Sequence, residues 1–111
     1  MSLFNKTIRS NSKQKDTRLQ PIKLRASSKI VFDQLKTFLK ENNFSNISSS
    51  PEFHEIYAKK SGFEYTFMVF VETTSTVLSV MIYAEDKLFV KKKYLLEILN
   101  DLRIAFEKSI Y

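Results

Sequence analysis

The 111-residue chain contains no cysteine, one glycine and two prolines. The absence of cysteine excludes disulfide bonds and thiolate metal sites. One glycine is too few for a glycine-rich phosphate-binding loop, and so little glycine and proline argues against a loop-rich or collagen-like chain. No apolar run approaches the roughly 20 residues that span a bilayer, and residues 1–20 lack the apolar centre of a signal peptide. We expect no cofactor and no metal ion.

Positive charge exceeds negative charge, and the formal net charge is +6. Most of this excess lies in residues 1–20, where five basic residues accompany the single acidic residue Asp16. A basic balance favours polyanionic partners, namely nucleic acid, acidic lipid headgroups or an acidic protein. Composition does not distinguish among these three classes.

The length of the chain fits a single domain with a modest core. Residues 10–20 are polar and show neither helical nor strand periodicity, which is typical of a linker. We therefore interpret residues 1–20 as a basic arm or linker and residues 21–111 as one α+β domain. The possible contact residues in the arm are Arg9, Lys13, Lys15 and Arg18.

Apolar periodicity predicts the first elements of this domain. A short strand follows Pro21, because apolar and basic residues alternate there. A helix capped by Ser27 or Ser28 comes next and ends at the Asn42-Asn43 pair. Its apolar stripe consists of Val31, Leu35, Phe38 and Leu39.

The second half of the chain reads as strands followed by a closing helix. A faint strand around residues 46–47 leads into a turn over residues 48–51, and residues 53–59 form a weakly patterned strand. Two strongly alternating strands follow, and their apolar faces consist of Phe63, Tyr65, Phe67, Val69, Val71, Leu78, Val80, Ile82 and Ala84. Asp86 is the expected cap of the closing helix, whose stripe is Leu95, Leu99, Leu102 and Phe106.

The order β-α-β-β-β-α predicts an α+β fold. We expect an antiparallel sheet of about four to five strands with two helices packed on one face. The aromatic strand at residues 63–67 also has the pattern of a base-stacking platform for RNA. A core position is the favoured interpretation of these aromatic residues, because a sheet under two helices needs a large apolar face.

Signals for enzymatic chemistry are sparse. His54 is the only histidine, and the alternation predicts that it shares a strand face with Ile56 and Ala58, as a structural residue. The neighbouring carboxylates Glu85 and Asp86 are explained by helix capping. We therefore interpret the chain as a binding module rather than an enzyme.

The strongest functional signal is the run Lys91-Lys92-Lys93 at the start of the closing helix. Cations oppose the positive end of a helix dipole, yet lysines combined with free backbone N–H groups make a favourable anion site. We predict an anion-binding face that is centred on this run. Its expected members are Lys91, Lys92, Lys93, Lys87, Lys23, Arg25 and Lys29. The alternative is an ordinary solvated helix start, with Lys93 paired to Glu97.

Three segments resemble the kinase-associated-1 domain: IKLRASSKIVFDQLKTFLKENNF, FEYTFMVFVETTSTVLSVMIYAED and LFVKKKYLLEILNDL. The resemblance covers about residues 20–110 and is a pattern of helices, strands and basic positions. This family closes the carboxyl terminus of microtubule-affinity kinases, checkpoint kinases and the septin-associated kinases of the fungal bud neck. Its members bind acidic phospholipids, notably phosphatidylserine, and some hold the kinase domain inactive. The resemblance implies that this chain is a fragment of a protein kinase.

From the residues and the resemblance together, we predict a membrane-targeting module that binds acidic phospholipids. The expected location is the cytoplasm, peripheral at the inner face of the plasma membrane. The expected partners are an anionic membrane surface and the kinase domain of the parent chain, with nucleic acid less favoured. Two alternatives remain. One is an RNA-binding α-β-β-β-α module, similar in layout to the small Alu-domain proteins of the signal recognition particle. The other is a docking domain for an acidic protein.

Overall fold

A computed structural model describes residues 6–84 and 89–111 of the chain. Their fold is α+β, with a six-stranded antiparallel sheet and two helices that cover one of its faces. This confirms the predicted fold class. The elements are β1 (Thr7–Arg9), β2 (Ile22–Leu24), α1 (Ser28–Glu41), β3 (Ser45–Ser50), β4 (Glu55–Lys60), β5 (Phe63–Glu72), β6 (Ser75–Ala84) and α2 (Lys92–Ala105).

Strands β3, β4, β5 and β6 follow one another across the sheet, and two short strands share the outer edge of β6. Strand β1 pairs with the end of β6 and strand β2 with its beginning. Ser10 fills the gap between them, because its backbone N–H donates to the Val80 carbonyl at 2.9 Å and its Oγ accepts from the Val80 N–H at 3.0 Å. The sequence did not predict β1, since three residues are too few for a periodic signal.

The core lies between the sheet and the helices, as the alternation predicts. Phe67 and Val80 are paired across β5 and β6, and both are fully buried. The predicted stripes of both helices are buried as well. One prediction on this face was wrong. Val71 is 63% exposed, because it lies near the β5–β6 turn, beyond the buried part of β5.

The predicted start and end of α1 are confirmed. The Ser27 hydroxyl accepts a hydrogen bond from the Ile30 N–H at 3.4 Å, and α1 ends at Asn42, followed by Asn43 with φ 63°. Between β4 and β5, Ser61 and Gly62 have φ values of 55° and 83°, as a tight hairpin turn requires.

Residues 48–50 were predicted as a turn, and the structure corrects this. They belong to β3, where Ser48 pairs with Tyr57 and Ser49 with Ile56. Serine runs are typical of turns, but here the backbone ladder with β4 holds them extended at the sheet edge. The turn directly follows β3 instead, as a 3-10 turn at Pro51–Phe53.

Residues 7–20, part of the segment interpreted as an arm or linker, pack on the domain. Leu19 is fully buried in the core, within a 3-10 turn at Thr17–Leu19. The Arg103 guanidinium of α2 donates to the carbonyl oxygens of Arg18, Thr17 and Gln20 at 2.8, 3.2 and 3.0 Å. One buried leucine and one arginine from a distant helix hold this segment, and neither contact leaves a local periodic pattern.

Candidate functional site

The lysine run forms the start of α2. Lys91 is the N-cap residue, Lys92 and Lys93 begin the first turn, and all three are exposed. Within the described residues, no side chain caps this turn and no acidic side chain lies in it. The first backbone N–H groups of a helix carry partial positive charge, so three lysines here concentrate positive potential.

Two of the three lysines lie over aromatic rings. The Lys91 Nζ is 5.9 Å from the ring centroid of Phe89, and the Lys93 Nζ is 5.3 Å from that of Tyr94. The alternative pairing of Lys93 with Glu97 does not form, because this side chain lies over Tyr94 instead. Cation–π contacts at exposed positions contribute about 0.5–1 kcal/mol and leave the charge available to solvent or ligand.

Two further lysines lie at the same end of the sheet. The Lys6 carbonyl accepts a hydrogen bond from the Ala84 N–H at 2.7 Å, and its Nζ is 5.4 Å from the Tyr83 ring centroid. Lys60 pairs with Phe63, whose ring centroid is 4.8 Å from that of Tyr94 in α2. We call Lys6, Lys60, Lys91, Lys92 and Lys93 the lysine end. Lys6 and Lys60 were not predicted as members of the site, since only strand register places them at this end of the sheet.

Three predicted members of the site lie elsewhere. Lys23, Arg25 and Lys29 lie near the start of β6, because Leu24 pairs with Thr76, whose hydroxyl donates to the Ala26 carbonyl. The lysine end lies at the opposite end of β6, eight residues away at Ala84, or about 26 Å. The prediction that these three side chains join the lysine run was wrong. The helices run antiparallel, so their first turns lie at opposite ends of the sheet.

Of the four predicted contact residues in the arm, one forms an ion pair and the other three are exposed. Arg18 forms an ion pair with Asp16 at 2.7 Å, and its hydrogen bonds lower the pKa of that carboxyl to about 2. The charge of Lys92 contributes to this lowering, and the 3-10 turn at Thr17–Leu19 packs against α2. Lys13 and Lys15 are exposed in the same segment, and Arg9 is exposed on β1. Asp86 and Lys87 lie outside the described residues. The prediction that Asp86 caps the closing helix was wrong, because the N-cap residue of α2 is Lys91.

The aromatic residues Phe63, Tyr65 and Phe67 are buried, with 5%, 8% and 0% exposure. This confirms the core interpretation and removes them as a base-stacking platform. His54 was predicted on a strand face, and the structure corrects this as well. It is exposed in the turn before β4 with φ 54°, so the alternation that joined it to Ile56 is broken.

Over residues 6–84 and 89–111, no group of His, Asp or Glu side chains could hold a metal ion. No helix in the same part of the chain is long and apolar enough to cross a membrane. Comparisons with protein-family models, with curated proteins and with solved structures gave no match in any of the three. The resemblance to the kinase-associated-1 domain therefore stays a prediction.

Proposed function

We propose that this chain is a peripheral membrane-targeting module that binds acidic phospholipids, such as phosphatidylserine, through the lysine end. The observation that carries the proposal is the exposed run Lys91–Lys93 at the positive end of α2, with no carboxylate in the first turn. Such an arrangement costs helix stability, because the lysines repel one another and oppose the dipole. A ligand of negative charge turns the same arrangement into a favourable one.

A flat anionic surface suits this arrangement better than a small anion does. The five lysines are spread over α2, β4 and the residue before β1, and they do not converge on one closed cavity. Each basic residue near an acidic membrane contributes about 1 kcal/mol, so several together give useful affinity without a deep pocket. Phe89 adds an aromatic ring, 36% exposed, next to the lysine run. Aromatic rings beside basic residues are favourable at the membrane–water boundary.

The kinase-associated-1 part of the proposal rests on the resemblance of the sequence. On this proposal the chain is the carboxyl-terminal module of a protein kinase and acts at the cytoplasmic face of the plasma membrane. It would bring the kinase domain of the same chain to the lipid surface or hold it inactive. An antiparallel sheet with both helices on one face is compatible with the order that the resemblance implies.

Vesicle sedimentation tests the proposal directly. The unmodified chain is expected to sediment with phosphatidylserine vesicles and to remain in solution with neutral vesicles. The variant Lys91→Ala/Lys92→Ala/Lys93→Ala is expected to bind the acidic vesicles at least about tenfold more weakly at low salt. A charge-matched control, Lys23→Ala/Arg25→Ala/Lys29→Ala, removes three cations from the opposite end of β6 and is expected to lose much less.

Equal losses in the two triple variants would show that net charge, and not the lysine end, governs vesicle binding. An unchanged first variant would return the lysines to an ordinary solvated helix start. Tighter binding to RNA than to phosphatidylserine vesicles at matched salt would replace the lipid proposal with the RNA-binding alternative.

A further inference from the structure

A groove runs between the two helices on the covered face of the sheet. Helix α1 packs on β5 and β3, whereas α2 packs on β6 and β1. Two adjoining hollows of about 180 and 310 Å³ lie between them. Phe38, Asn42 and Asp101 line both hollows, which makes them one continuous groove.

The floor of the groove is apolar, and side chains of α2 continue this apolar surface. Tyr94, Ile98 and Ile104 of α2 line it, and Ile104 is 61% exposed. Phe44 and Tyr65 line the floor and meet edge to face, with ring centroids 5.1 Å apart. From Tyr94 to Ile104 the helix rises about 15 Å, which matches roughly three turns of a second helix laid alongside.

The rim of the groove is acidic, in a chain whose net charge is +6. Glu41, Glu97 and Asp101 line it, all three are exposed, and none forms an ion pair with another described residue. Burial, together with the charges of Glu97 and Asp101, raises the pKa of the Tyr65 phenol to about 12.

The position of Glu41 argues against a purely structural role for this acid. It is the last residue of α1, where the helix dipole disfavours a negative charge. Among the described residues, the one cation that lines the groove is Lys60, which donates to the Asn42 carbonyl at 2.8 Å and lies 4.9 Å from the Phe44 ring centroid. It closes the end of the groove and leaves the three carboxylates along its length unpaired.

We propose that this groove is the docking site of a basic amphipathic helix from a partner protein. Apolar side chains of that helix, at i, i+3, i+4 and i+7, fill the floor, and its flanking Lys or Arg residues pair with Glu41, Glu97 and Asp101. Charge complementarity selects this occupant. The acidic rim repels an anionic lipid surface and an acidic segment alike. The partner proposed for the groove therefore carries positive charge, whereas the partner proposed for the lysine end carries negative charge.

A model peptide of about 14 residues, with leucine at the helical spacing and lysine elsewhere, is a suitable probe. Fluorescence anisotropy is expected to show saturable binding that weakens as salt is added. The variant Glu41→Lys/Asp101→Lys is expected to bind at least about tenfold more weakly, since two attractions become repulsions. The control variant Glu52→Lys/Glu72→Lys makes the same charge change at exposed positions outside the groove and is expected to behave nearly as the unmodified chain.

Amide chemical shifts locate the contact. On addition of the peptide they are expected to change around Asn42, Asp101 and Ile104, and a scrambled peptide of the same composition is expected to bind more weakly. Each of three results would overturn the proposal: shifts confined to other surfaces, equal loss in both charge-reversed variants, or equal binding of a leucine–glutamate peptide. Concentration-dependent dimerisation that is lost in Glu41→Lys/Asp101→Lys would also overturn it, because the groove would then hold a second copy.

The peptide-binding test is independent of the lipid proposal. The variant Glu41→Lys/Asp101→Lys keeps every lysine of the lysine end, so its binding to phosphatidylserine vesicles is expected to be undiminished. Loss of peptide binding with retained vesicle binding supports two distinct binding surfaces, which adjoin at Lys60. Loss of both would indicate that the substitutions unfold the chain, which circular dichroism would show. The variant Ile104→Ser, at an exposed position, then repeats the peptide test without a charge change and is expected to weaken peptide binding. If Ile104→Ser folds and binds the peptide as tightly as the unmodified chain, the groove is not the docking site.

Discussion

Leu19 is the residue that ties the polar segment of residues 10–20 to the domain. It is fully buried although its neighbours Arg18 and Thr17 are exposed. A single buried leucine in a polar context has a large effect on stability, because its removal leaves a cavity that the surrounding core fills only partly.

We predict that Leu19→Ala lowers the free energy of unfolding by about 2–5 kcal/mol. Denaturant unfolding monitored by circular dichroism measures this change. The exposed substitution Lys15→Ala in the same segment serves as the control and is expected to change stability by less than about 0.5 kcal/mol. If both variants were as stable as the unmodified chain, the segment would be a free arm after all.

Asp16 and Arg18 make a residue-scale prediction about pH. The guanidinium holds the pKa of the Asp16 carboxyl at about 2, whereas an aspartate in an unfolded chain titrates at about 4. Because the folded state has the lower pKa, the pair stabilises the fold at neutral pH, and this contribution disappears as the pH falls through that interval.

In an NMR titration, Arg18→Gln is expected to move the Asp16 midpoint upward toward its ordinary value. Lys15→Ala, which removes a neighbouring cation without a hydrogen bond to Asp16, is expected to leave the midpoint nearly in place. A midpoint near pH 4 in the unmodified chain would mean that the ion pair does not persist in solution.

The two ends of helix α2 differ in how well their residues stabilise the helix. Its carboxyl-terminal half has a regular apolar stripe and Arg103, which donates to three carbonyls of the segment before β2. Its amino-terminal turn has three lysines in positions where carboxylates would be more stable. The element is therefore well packed where it meets the core and electrostatically unfavourable where it meets solvent.

We predict that Lys91→Ala/Lys92→Ala/Lys93→Ala raises the thermal midpoint by a few degrees at low salt. Each cation removed from the positive helix end relieves about 0.3–1 kcal/mol, and alanine favours the helix slightly more than lysine. Scanning calorimetry at low and high salt measures the effect, which is expected to shrink as salt screens the dipole. A lower midpoint in the variant would show that the lysines stabilise the fold and would weaken the argument for a functional cluster.

At the scale of the whole molecule, the antiparallel arrangement sorts basic residues to opposite ends of the sheet. The turn at Ser61–Gly62 lies at the lysine end, and the turn after Glu72 lies at the other end of β5, about 33 Å away. If the lysine end binds the membrane end-on, the other end of the sheet stays away from it.

This geometry predicts an orientation on vesicles. The chain has no cysteine, so a single introduced cysteine carries one polarity-sensitive dye. With phosphatidylserine vesicles, a dye at Ser61→Cys is expected to shift to the blue, and a dye at Thr73→Cys is expected to change little. The two positions are matched, because both residues open a hairpin turn with φ values of 55° and 56°. Equal shifts at both positions would mean that the chain binds without a preferred face.

Local pattern was sufficient for most of the fold. The two helices, the strands around Phe67 and Val80, and the buried faces follow from apolar spacing, since burial of one face imposes a period on the sequence. The same reasoning found Lys91–Lys93, because a helix start is marked by its own residues. It failed at residues 48–50, where pairing with β4 outweighs the turn preference of serine.

Tertiary structure decided which residues join the lysine run in the candidate site. The sequence determined that three lysines open a helix and that the core is built from alternating apolar residues. Only the fold decided that Lys6 and Lys60 join those lysines, that Lys23, Arg25 and Lys29 lie at the opposite end, and that Leu19 is buried. The physical reason is that strand register and helix direction set distances between residues far apart in the chain. Periodicity records only which way each side chain faces within its own element.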